Sequence, residues 1–173
     1  MRVIAGSAKG PQLQAVPGSG TRPISDRVKE AVFNILGASI LDSRVLDLFA
    51  GTGSVGIEAL SRGAEGAVLV EKNPKAIATI RANLKRTRLQ AGARVVKADV
   101  FKFLAREPEP FDLVYVAPPQ YQGLWRDTLL ALDAAPRWLD PGGLAIVQIF
   151  PKELEPLALE TLEPVSYTHL TLP

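Results

Sequence analysis

Apolar residues in this chain occur in two alternating patterns. Short, almost continuous apolar runs predict buried strands, and most stretches between them have apolar residues at helical spacing. The five predicted strands begin near Val45 and then cover Gly66–Glu71, Ala93–Lys97, Phe111–Val116 and Leu144–Phe150. The predicted helices are Thr21–Leu36, the segment after Gly53, Pro74–Arg88, Val100–Arg106 and Trp125–Leu139. Nearly all-apolar strands that alternate with helices predict an α/β fold with a doubly wound, mainly parallel sheet and helices on both faces.

The stretch from Val45 to Leu60, VLDLFAGTGSVGIEAL, predicts a strand, a glycine-rich turn and a helix. Gly51, Gly53 and Gly56 fit the G-x-G-x-x-G spacing of dinucleotide-binding proteins. Such a turn presents backbone N–H groups and a helix N-terminus to a ligand. The spacing alone is weakly specific and leaves two candidates, a nicotinamide or flavin dinucleotide and S-adenosylmethionine.

Acidic residues sit at or just after three of the predicted strands, namely Asp47, Glu71 and Asp99. Ligands of open α/β sheets bind outside the carboxyl ends of the strands, so we expect these acids at one edge. An acid beside the glycine turn repels a pyrophosphate and attracts a sulfonium or ammonium group. The charge pattern therefore favours S-adenosylmethionine, with Glu71 accepting from the ribose hydroxyls and Asp99 from the adenine amino group.

Composition narrows the chemistry further. The 173 residues are 47% hydrophobic, which fits one packed domain. There is no cysteine and the only histidine is His169, so we expect chemistry without a metal site. The net charge of +2 and an isoelectric point near 9.0 permit a nucleic-acid partner without requiring one. With no apolar run of membrane-spanning length and no signal peptide, we expect a cytoplasmic protein.

The N-terminal region carries several cations. Residues 1–20 predict a small β-hairpin arm with Arg2 and Lys9, which is either a solvated extension or a basic arm that contacts phosphates. Arg22 and Arg27 lie near the start of the first predicted helix, where positive charge opposes the helix macrodipole. This placement suggests an anionic partner, although a solvated helix face is the commoner explanation.

Three segments together resemble a known family. RVIAGSAKG, TRPISDRVKEAVFNIL and DLFAGTGSVGIEALSRGA are similar to the bacterial enzymes that methylate the exocyclic N2 of a guanine in small-subunit ribosomal RNA. The resemblance runs from Arg2 to about Lys152 and implies a Rossmann-like class I methyltransferase fold. It also implies S-adenosylmethionine as cofactor, and small-subunit rRNA or an assembling small ribosomal subunit as partner.

The resemblance assigns roles to individual positions. The residues that it implies for cofactor binding are Asp47, Phe49, Ala50, Gly51, Gly53, Glu71, Lys72, Asp99 and Val100. Those that it implies for RNA binding are Arg2, Lys9, Arg22 and Arg27.

The expected catalytic turn departs from the family pattern. Such enzymes carry Asp or Asn, then Pro-Pro and an aromatic residue; this chain has Ala117, Pro118 and Pro119, with Gln120 before Tyr121. Either the carbonyls of Ala117 and Pro118 orient the amine with Tyr121 or Trp125 as the stacking ring, or catalysis is altered. The alternatives are a different amine substrate and a relative that binds RNA without turnover.

The domain organisation follows from these patterns. Residues 21–164 form the predicted methyltransferase domain behind the arm of residues 1–20. Class I folds end in two further edge strands, which we expect to be truncated here. Residues 165–173, VSYTHLTLP, resemble read-through of a sequencing-library adapter, and we expect this tail to be non-native.

Overall fold

The sheet at the centre of the protein has five parallel strands. A computed structural model describes residues 1–18 and 23–168. The strands are β1 (Arg44–Asp47), β2 (Gly66–Glu71), β3 (Ala93–Lys97), β4 (Phe111–Val116) and β5 (Leu139–Val147). Their order across the sheet is β3-β2-β1-β4-β5, and every neighbouring pair is parallel. The predicted doubly wound α/β fold is confirmed.

Four α-helices of the described chain connect these strands, and a fifth precedes β1. They are α1 (Asp26–Leu36), α2 (Ser54–Ser61), α3 (Pro74–Thr87), α4 (Val100–Leu104) and α5 (Leu124–Ala134). Polar caps set several helix starts, since Ser25, Asn73 and Asp99 each accept a hydrogen bond from a first-turn N–H. The described part of the chain contains no helix that is long and apolar enough to cross a membrane.

Successive side chains along each strand point to opposite faces of the sheet, where they form two apolar layers. Side chains such as Val45, Leu69 and Leu113 pack with α1, α2 and α3 on one face of the sheet. Leu46 and Val70 point to the other face, where they pack with residues of α4 and α5. Both faces of the sheet are therefore covered, which explains why the strands read as continuous apolar runs.

The strand order reverses between β1 and β4. Both β2 and β3 lie on one side of β1, whereas β4 and β5 lie on the other. Asp47, the last residue of β1, is the register partner of Tyr115 on β4. The crevice at such a reversal is where doubly wound proteins bind their ligands. The predicted glycine turn follows β1 and the predicted Pro-Pro turn follows β4, so both belong to this crevice.

The N-terminal arm folds back on itself and onto the helices. Arg2 and Gln12 form an antiparallel bridge, and Val3 and Leu13 donate backbone hydrogen bonds to Pro11 and Met1. Val3 and Leu13 are buried in the same apolar layer as α1, α2 and α3. The arm is therefore packed against the domain along its hairpin.

Three element boundaries differ from the sequence prediction by five residues each. Helix α1 begins at Asp26 instead of Thr21, because the Ser25 hydroxyl caps it by accepting from the Val28 N–H. Helix α5 stops at Ala134, and a 3₁₀ turn follows at Pro136–Trp138. Pro136 cannot donate the next helical hydrogen bond, and it disfavours helical geometry in the residue before it.

The fifth strand also starts earlier than predicted. We expected Pro141, Gly142 and Gly143 to turn the chain into a strand at Leu144, but β5 begins at Leu139. Its pairing with β4 shifts across this tripeptide, which forms an irregularity inside the strand. The described residues after β5 contain a short 3₁₀ turn at Pro151–Glu153 and no further strand. Residues 169–173 of the predicted tail, including His169, lie outside the described residues.

Candidate functional site

The glycine turn after β1 has the backbone geometry that its sequence predicts. Gly51 and Gly53 both have positive φ angles, +56° and +80°, which side-chain-bearing residues rarely adopt. A Cβ atom on Gly51 would meet no atom within 4 Å, so the turn faces open space there. A Cβ atom on Gly56 would lie 2.8 Å from Leu69 Cδ2, so this glycine lets α2 pack closely on β2.

Asp47 is buried beneath this turn. Asp47 is only 1% exposed. Its Oδ1 atom has no hydrogen-bond partner among the described residues. Burial raises the pKa of Asp47 to about 7, and the charge of Glu71 acts in the same direction, whereas the Phe49 and Gly56 N–H groups oppose the shift. A buried carboxyl with an unpaired oxygen is suited to receive a donor or a cation.

Glu71 connects the end of β2 to the glycine turn. Its Oε2 accepts a hydrogen bond from the Gly51 N–H at 3.0 Å. Its Oε1 accepts from the N–H groups of Lys72 and Asn73, both at 2.9 Å. The side chain predicted to bind ribose therefore also holds the turn in place, which the sequence did not indicate.

Asp99 combines a predicted site position with a structural role. Its Oδ1 caps α4 by accepting from the Phe101 and Lys102 N–H groups, at 2.9 and 3.3 Å. The adjacent backbone is joined to the site, since the Ala98 N–H donates to the Glu71 carbonyl. Asp47, Glu71 and Asp99 thus follow three neighbouring strands at one edge of the sheet.

The remaining predicted cofactor residues surround these acids. Ala50 and Val100 are buried, Phe49 is half-buried and Lys72 is exposed. The Ala50 N–H donates to the Val70 carbonyl, which extends the β1–β2 contact to the turn. The structure therefore places all nine predicted cofactor residues along the carboxyl edge of β1, β2 and β3.

The Pro-Pro turn follows β4 on the other side of the crevice. Ala117 is half-buried against the apolar layer, Pro118 is buried and Pro119 is exposed. Tyr121 is 67% exposed and has a positive φ of 58°. Its ring stacks on Phe150, with centroids 5.8 Å apart, and its N–H donates to Glu153 Oε1 at 2.7 Å. Tyr121 therefore presents an aromatic face at the turn.

Trp125 does not serve as the alternative stacking ring that we expected. It is only 5% exposed and lies in the first turn of α5. An aromatic ring that stacks on a base must expose one face to it. Of the two aromatic candidates, only Tyr121 has this exposure.

The residues predicted to bind RNA are distributed around the N-terminal arm. Lys9 and Arg27 are exposed. Arg2 is exposed too, but its Nε lies 3.9 Å from Asp26 Oδ2, so part of its charge is neutralised within the protein. Arg22 lies outside the described residues.

Sequence reasoning missed a buried polar network beside the site. Lys29 Nζ donates to Ser54 Oγ at 2.9 Å, and Ser54 is the first residue of α2. Lys29 Nζ also lies 3.3 Å from Glu58 Oε2. The Glu58 carboxylate accepts hydrogen bonds from the N–H groups of Ile4 and Ala5. In the sequence, the indication of this network was a charged residue, Glu58, within the apolar run of α2.

Asn83 forms a second link that the sequence did not reveal. Its Nδ2 donates to the carbonyls of Thr52 and Gln14, and its Oδ1 accepts from the Gln14 N–H at 2.7 Å. One side chain of α3 thus holds both the glycine turn and the arm. The site and the arm are parts of one hydrogen-bonded assembly.

Comparisons with known proteins agree with this geometry. A sequence model of the family described as "Conserved hypothetical protein 95" matches residues 1–168. The ribosomal RNA small subunit methyltransferase D of Escherichia coli K12 is 41% identical over 134 residues, covering 77% of this chain and 67% of that protein. The solved structure of yhhF from Escherichia coli has a TM-score of 0.80 at 37% identity, covering 91% of this chain and 86% of the other.

A more distant structure extends the likeness in fold alone. The RNA methyltransferase from Salinibacter ruber, solved in complex with S-adenosyl-L-homocysteine, has a TM-score of 0.61 at 20% identity and covers 73% of this chain and 76% of the other. The sheet order, the glycine turn and the acids after β1, β2 and β3 agree with a Rossmann-like methyltransferase fold. The chain belongs to the conserved hypothetical protein 95 family, and its predicted resemblance to bacterial small-subunit ribosomal RNA methyltransferases is confirmed.

Proposed function

We propose that the protein methylates the exocyclic N2 of a guanine in small-subunit rRNA, as an S-adenosylmethionine-dependent methyltransferase. The observation that carries the proposal is the unpaired, buried oxygen of Asp47 beneath the glycine turn. The name of the 41% identical relative supports rRNA of the small subunit as the substrate class. Guanine N2 as the acceptor rests on the family resemblance.

The residues at the carboxyl edge fit this cofactor. Gly51 leaves space beside the turn, and the Asp47 carboxyl beneath it can bind a cationic group by ionising. Asp47 and Glu71 together disfavour a pyrophosphate, because like charges repel strongly in a partly dry site. We assign Asp47, Gly51 and Gly53 to the methionine part of the cofactor, Glu71 to the ribose, and Asp99 with Val100 to the adenine.

S-adenosylmethionine supplies an electrophilic methyl group when it is bound. The task of this chain is then to align the acceptor nitrogen with that group and to keep the reacting atoms close, which contributes several kcal/mol. The carbonyls of Ala117 and Pro118 accept the hydrogens of the amine and so direct its lone pair. The exposed ring of Tyr121 stacks on the base, and the product loses its proton to solvent without a general base.

The N-terminal arm and α1 form part of the proposed RNA interface. Arg2, Lys9 and Arg27 are exposed on the arm and on the first turn of α1. Their contacts are with phosphates, which position the RNA without reading its sequence. With an assembling small ribosomal subunit or its rRNA as partner, the protein works in the cytoplasm.

A second candidate function follows from Ala117. Its methyl side chain cannot accept a hydrogen bond, whereas related enzymes carry an acid or amide there. This observation favours either another amine substrate or binding of RNA without turnover. The first candidate transfers the methyl group to guanine N2, another amine substrate receives it elsewhere, and binding without turnover transfers none.

The test is a transfer assay with isotope-labelled S-adenosylmethionine. Small ribosomal subunits from a strain that lacks the corresponding methylation, and the naked rRNA from those subunits, are incubated with the protein. Mass spectrometry of the rRNA nucleosides is expected to find labelled N2-methylguanosine. Label in protein or in another nucleoside contradicts guanine N2. Calorimetry with S-adenosylhomocysteine and with NAD separates the cofactor from the substrate, because binding of NAD alone contradicts the whole proposal.

A further inference from the structure

Positive charge is strongly concentrated in one segment of the chain. Residues 72–97 contain eight of the 20 Lys and Arg residues and none of the 18 Asp and Glu residues. The rest of the chain therefore has twelve cations against eighteen acids. A net charge of only +2 conceals this separation. The segment comprises α3, the connection after it and the edge strand β3.

Five of these cations lie on or directly after α3 and are exposed. They form the surface that we call the α3 basic surface: Lys75, Arg81, Lys85, Arg86 and Arg88. The buried face of α3 packs on the domain through Ile80 and Leu84. The exposed positions fall on one side of the helix, since residues three, four and seven apart share a face.

Some cations elsewhere on the protein are neutralised by acidic side chains. Arg126 pairs with Glu155, Arg137 with Glu107, and Arg94 with Glu109. Within the described residues, no member of the α3 basic surface makes an ion pair of this kind. Among the described residues, their positive charge is not balanced by a paired acid, so it is available to an anionic partner.

Three features of the surface carry a local cost. Lys75 lies in the first turn of α3, where a cation opposes the helix macrodipole, and Arg81 and Lys85 repel each other four residues apart. Arg88 has a left-handed conformation with φ 59°, at the helix end where glycine is the usual residue. Lys85 and Arg86 lie in the last turn, where cations favour the macrodipole, so the net cost falls on Lys75 and on the backbone of Arg88.

The helix that carries the α3 basic surface is also joined to the site. Asn83, on the inner side of α3, holds both the Thr52 carbonyl of the glycine turn and Gln14 of the arm. A polyanion lying along α3 is therefore held by the same helix that supports the cofactor turn and the arm.

We infer that the α3 basic surface binds the phosphate backbone of the RNA substrate outside the region around the target base. The inference rests on the proposed function for its choice of polyanion. The surface holds RNA by charge, and its cations do not contact the reacting atoms. It is distinct from the arm cations Arg2 and Lys9, of which Arg2 lies 3.9 Å from Asp26 Oδ2.

The test compares two triple variants with the same change in charge. Arg81→Gln/Lys85→Gln/Arg86→Gln removes cations from the surface. Arg106→Gln/Arg126→Gln/Arg137→Gln removes three from α5 and the connections around it, where two of them are ion-paired. Binding of naked small-subunit rRNA is measured across a salt series, together with calorimetry of S-adenosylhomocysteine and steady-state kinetics on small subunits.

The α3 variant is expected to bind RNA about tenfold or more weakly, and its slope of log K against log salt should flatten by about 2 to 3. Its KM for the subunit should rise while kcat, cofactor affinity and the unfolding midpoint stay at the parent values. The control variant should resemble the parent in RNA binding.

The inference is overturned if the α3 variant binds rRNA with the parent's affinity and slope, or if both variants weaken equally. A parent that binds no rRNA overturns it too. If the parent binds rRNA through this surface but transfers no methyl group to the rRNA, the proposed function is contradicted. The inference about the α3 basic surface is then still supported.

Discussion

The Lys29 ammonium lies 3.3 Å from the Glu58 carboxylate, and both side chains are completely buried. Burial lowers the pKa of Lys29, and the charge of Glu58 acts in the opposite direction. The pair is satisfied by further hydrogen bonds from Lys29 to the Arg2 carbonyl and from the Ile4 N–H to Glu58. It therefore fastens the N-terminal arm to α1 and α2.

Replacing Lys29 with methionine should destabilise the protein by about 3 kcal/mol, because Glu58 then keeps a buried charge with one partner fewer. Arg62, which donates to Glu58 at 2.8 Å, prevents a larger loss. Urea denaturation measures the free energy of unfolding, and Lys102→Met, at an exposed position, is the matched control.

The same variant should loosen the arm before the domain unfolds. Hydrogen exchange at Ile4 and Ala5 is expected to quicken far more than exchange in β1. Stability within about 0.5 kcal/mol of the parent, with unchanged exchange in the arm, would show that the pair does not hold it.

Asp47 makes stability depend on pH in an unusual direction for an acid. Its pKa in the folded protein, about 7, lies above its ordinary value of 3.8. The native state therefore retains a proton that the unfolded state releases, and stability is lost as the pH rises from about 4 to about 7. The loss at neutral pH and above is on the order of 4 kcal/mol.

Asp47→Asn should remove most of this loss and be more stable than the parent at pH 8, with little difference at pH 4. Denaturation at both pH values checks the prediction, and Asp112→Asn, at an exposed position in β4, is the control. In the parent, binding of S-adenosylhomocysteine should strengthen between pH 6 and pH 8 and release a proton. A pH-independent affinity in the parent would exclude Asp47 as the group that receives the ligand's positive charge.

The sequence predicted the order of the fold well because each strand is buried on both faces and therefore almost wholly apolar. It failed where backbone irregularity decided the outcome. Pro141, Gly142 and Gly143 have the composition of a turn, yet the strand pairing continues on both sides of them. Strand continuity across a bulge depends on the neighbouring strand β4, which a local pattern does not include.

The site shows the same division between local and distant information. The positions of Asp47, Glu71 and Asp99 followed from strand ends, which a sequence displays directly. Glu71 is a site acid and also accepts a hydrogen bond from the N–H of Gly51, which is 20 residues away in the sequence. The pairing of Lys29 with Glu58 depends on how the arm packs, and Trp125 is buried by its place on α5. These contacts arise only from tertiary packing.

Ala117 offers a direct gain-of-function experiment. Ala117→Asp restores a side-chain acceptor beside Pro118, where related enzymes orient the amine. The rate of methyl transfer to small subunits should rise by roughly 10- to 100-fold, with the affinity for S-adenosylhomocysteine unchanged. Ala117→Val, which has no acceptor, is the control. An equal rate in the parent and the Asp variant would indicate that the backbone carbonyls suffice.

Arg88 should show stability and RNA binding changing in opposite directions. Arg88→Gly relieves the left-handed conformation and is expected to stabilise the protein by about 0.5–1 kcal/mol while weakening RNA binding. Arg88→Ala removes the same charge without relieving the backbone, so it should weaken RNA binding equally and give no stability gain. Urea denaturation and salt-dependent RNA binding separate the two effects. Stronger RNA binding by either variant would contradict a role for this cation.

Gly56 sets the distance between α2 and β2, and thereby the position of the glycine turn. Gly56→Ala places a Cβ atom 2.8 Å from Leu69 Cδ2, and Leu69 is completely buried and cannot move aside freely. The overpacking should cost about 1–3 kcal/mol, partly offset by about 1 kcal/mol from the better helix propensity of alanine. Gly66→Ala is the control, because its Cβ atom makes only an ordinary contact at 3.6 Å. Helix α2 carries Ser54 directly after the turn, so the Gly56 variant should also bind S-adenosylhomocysteine more weakly. Calorimetry at a temperature where both variants are folded measures this affinity. Parent-like stability and affinity in Gly56→Ala would show that α2 can shift without disturbing the turn.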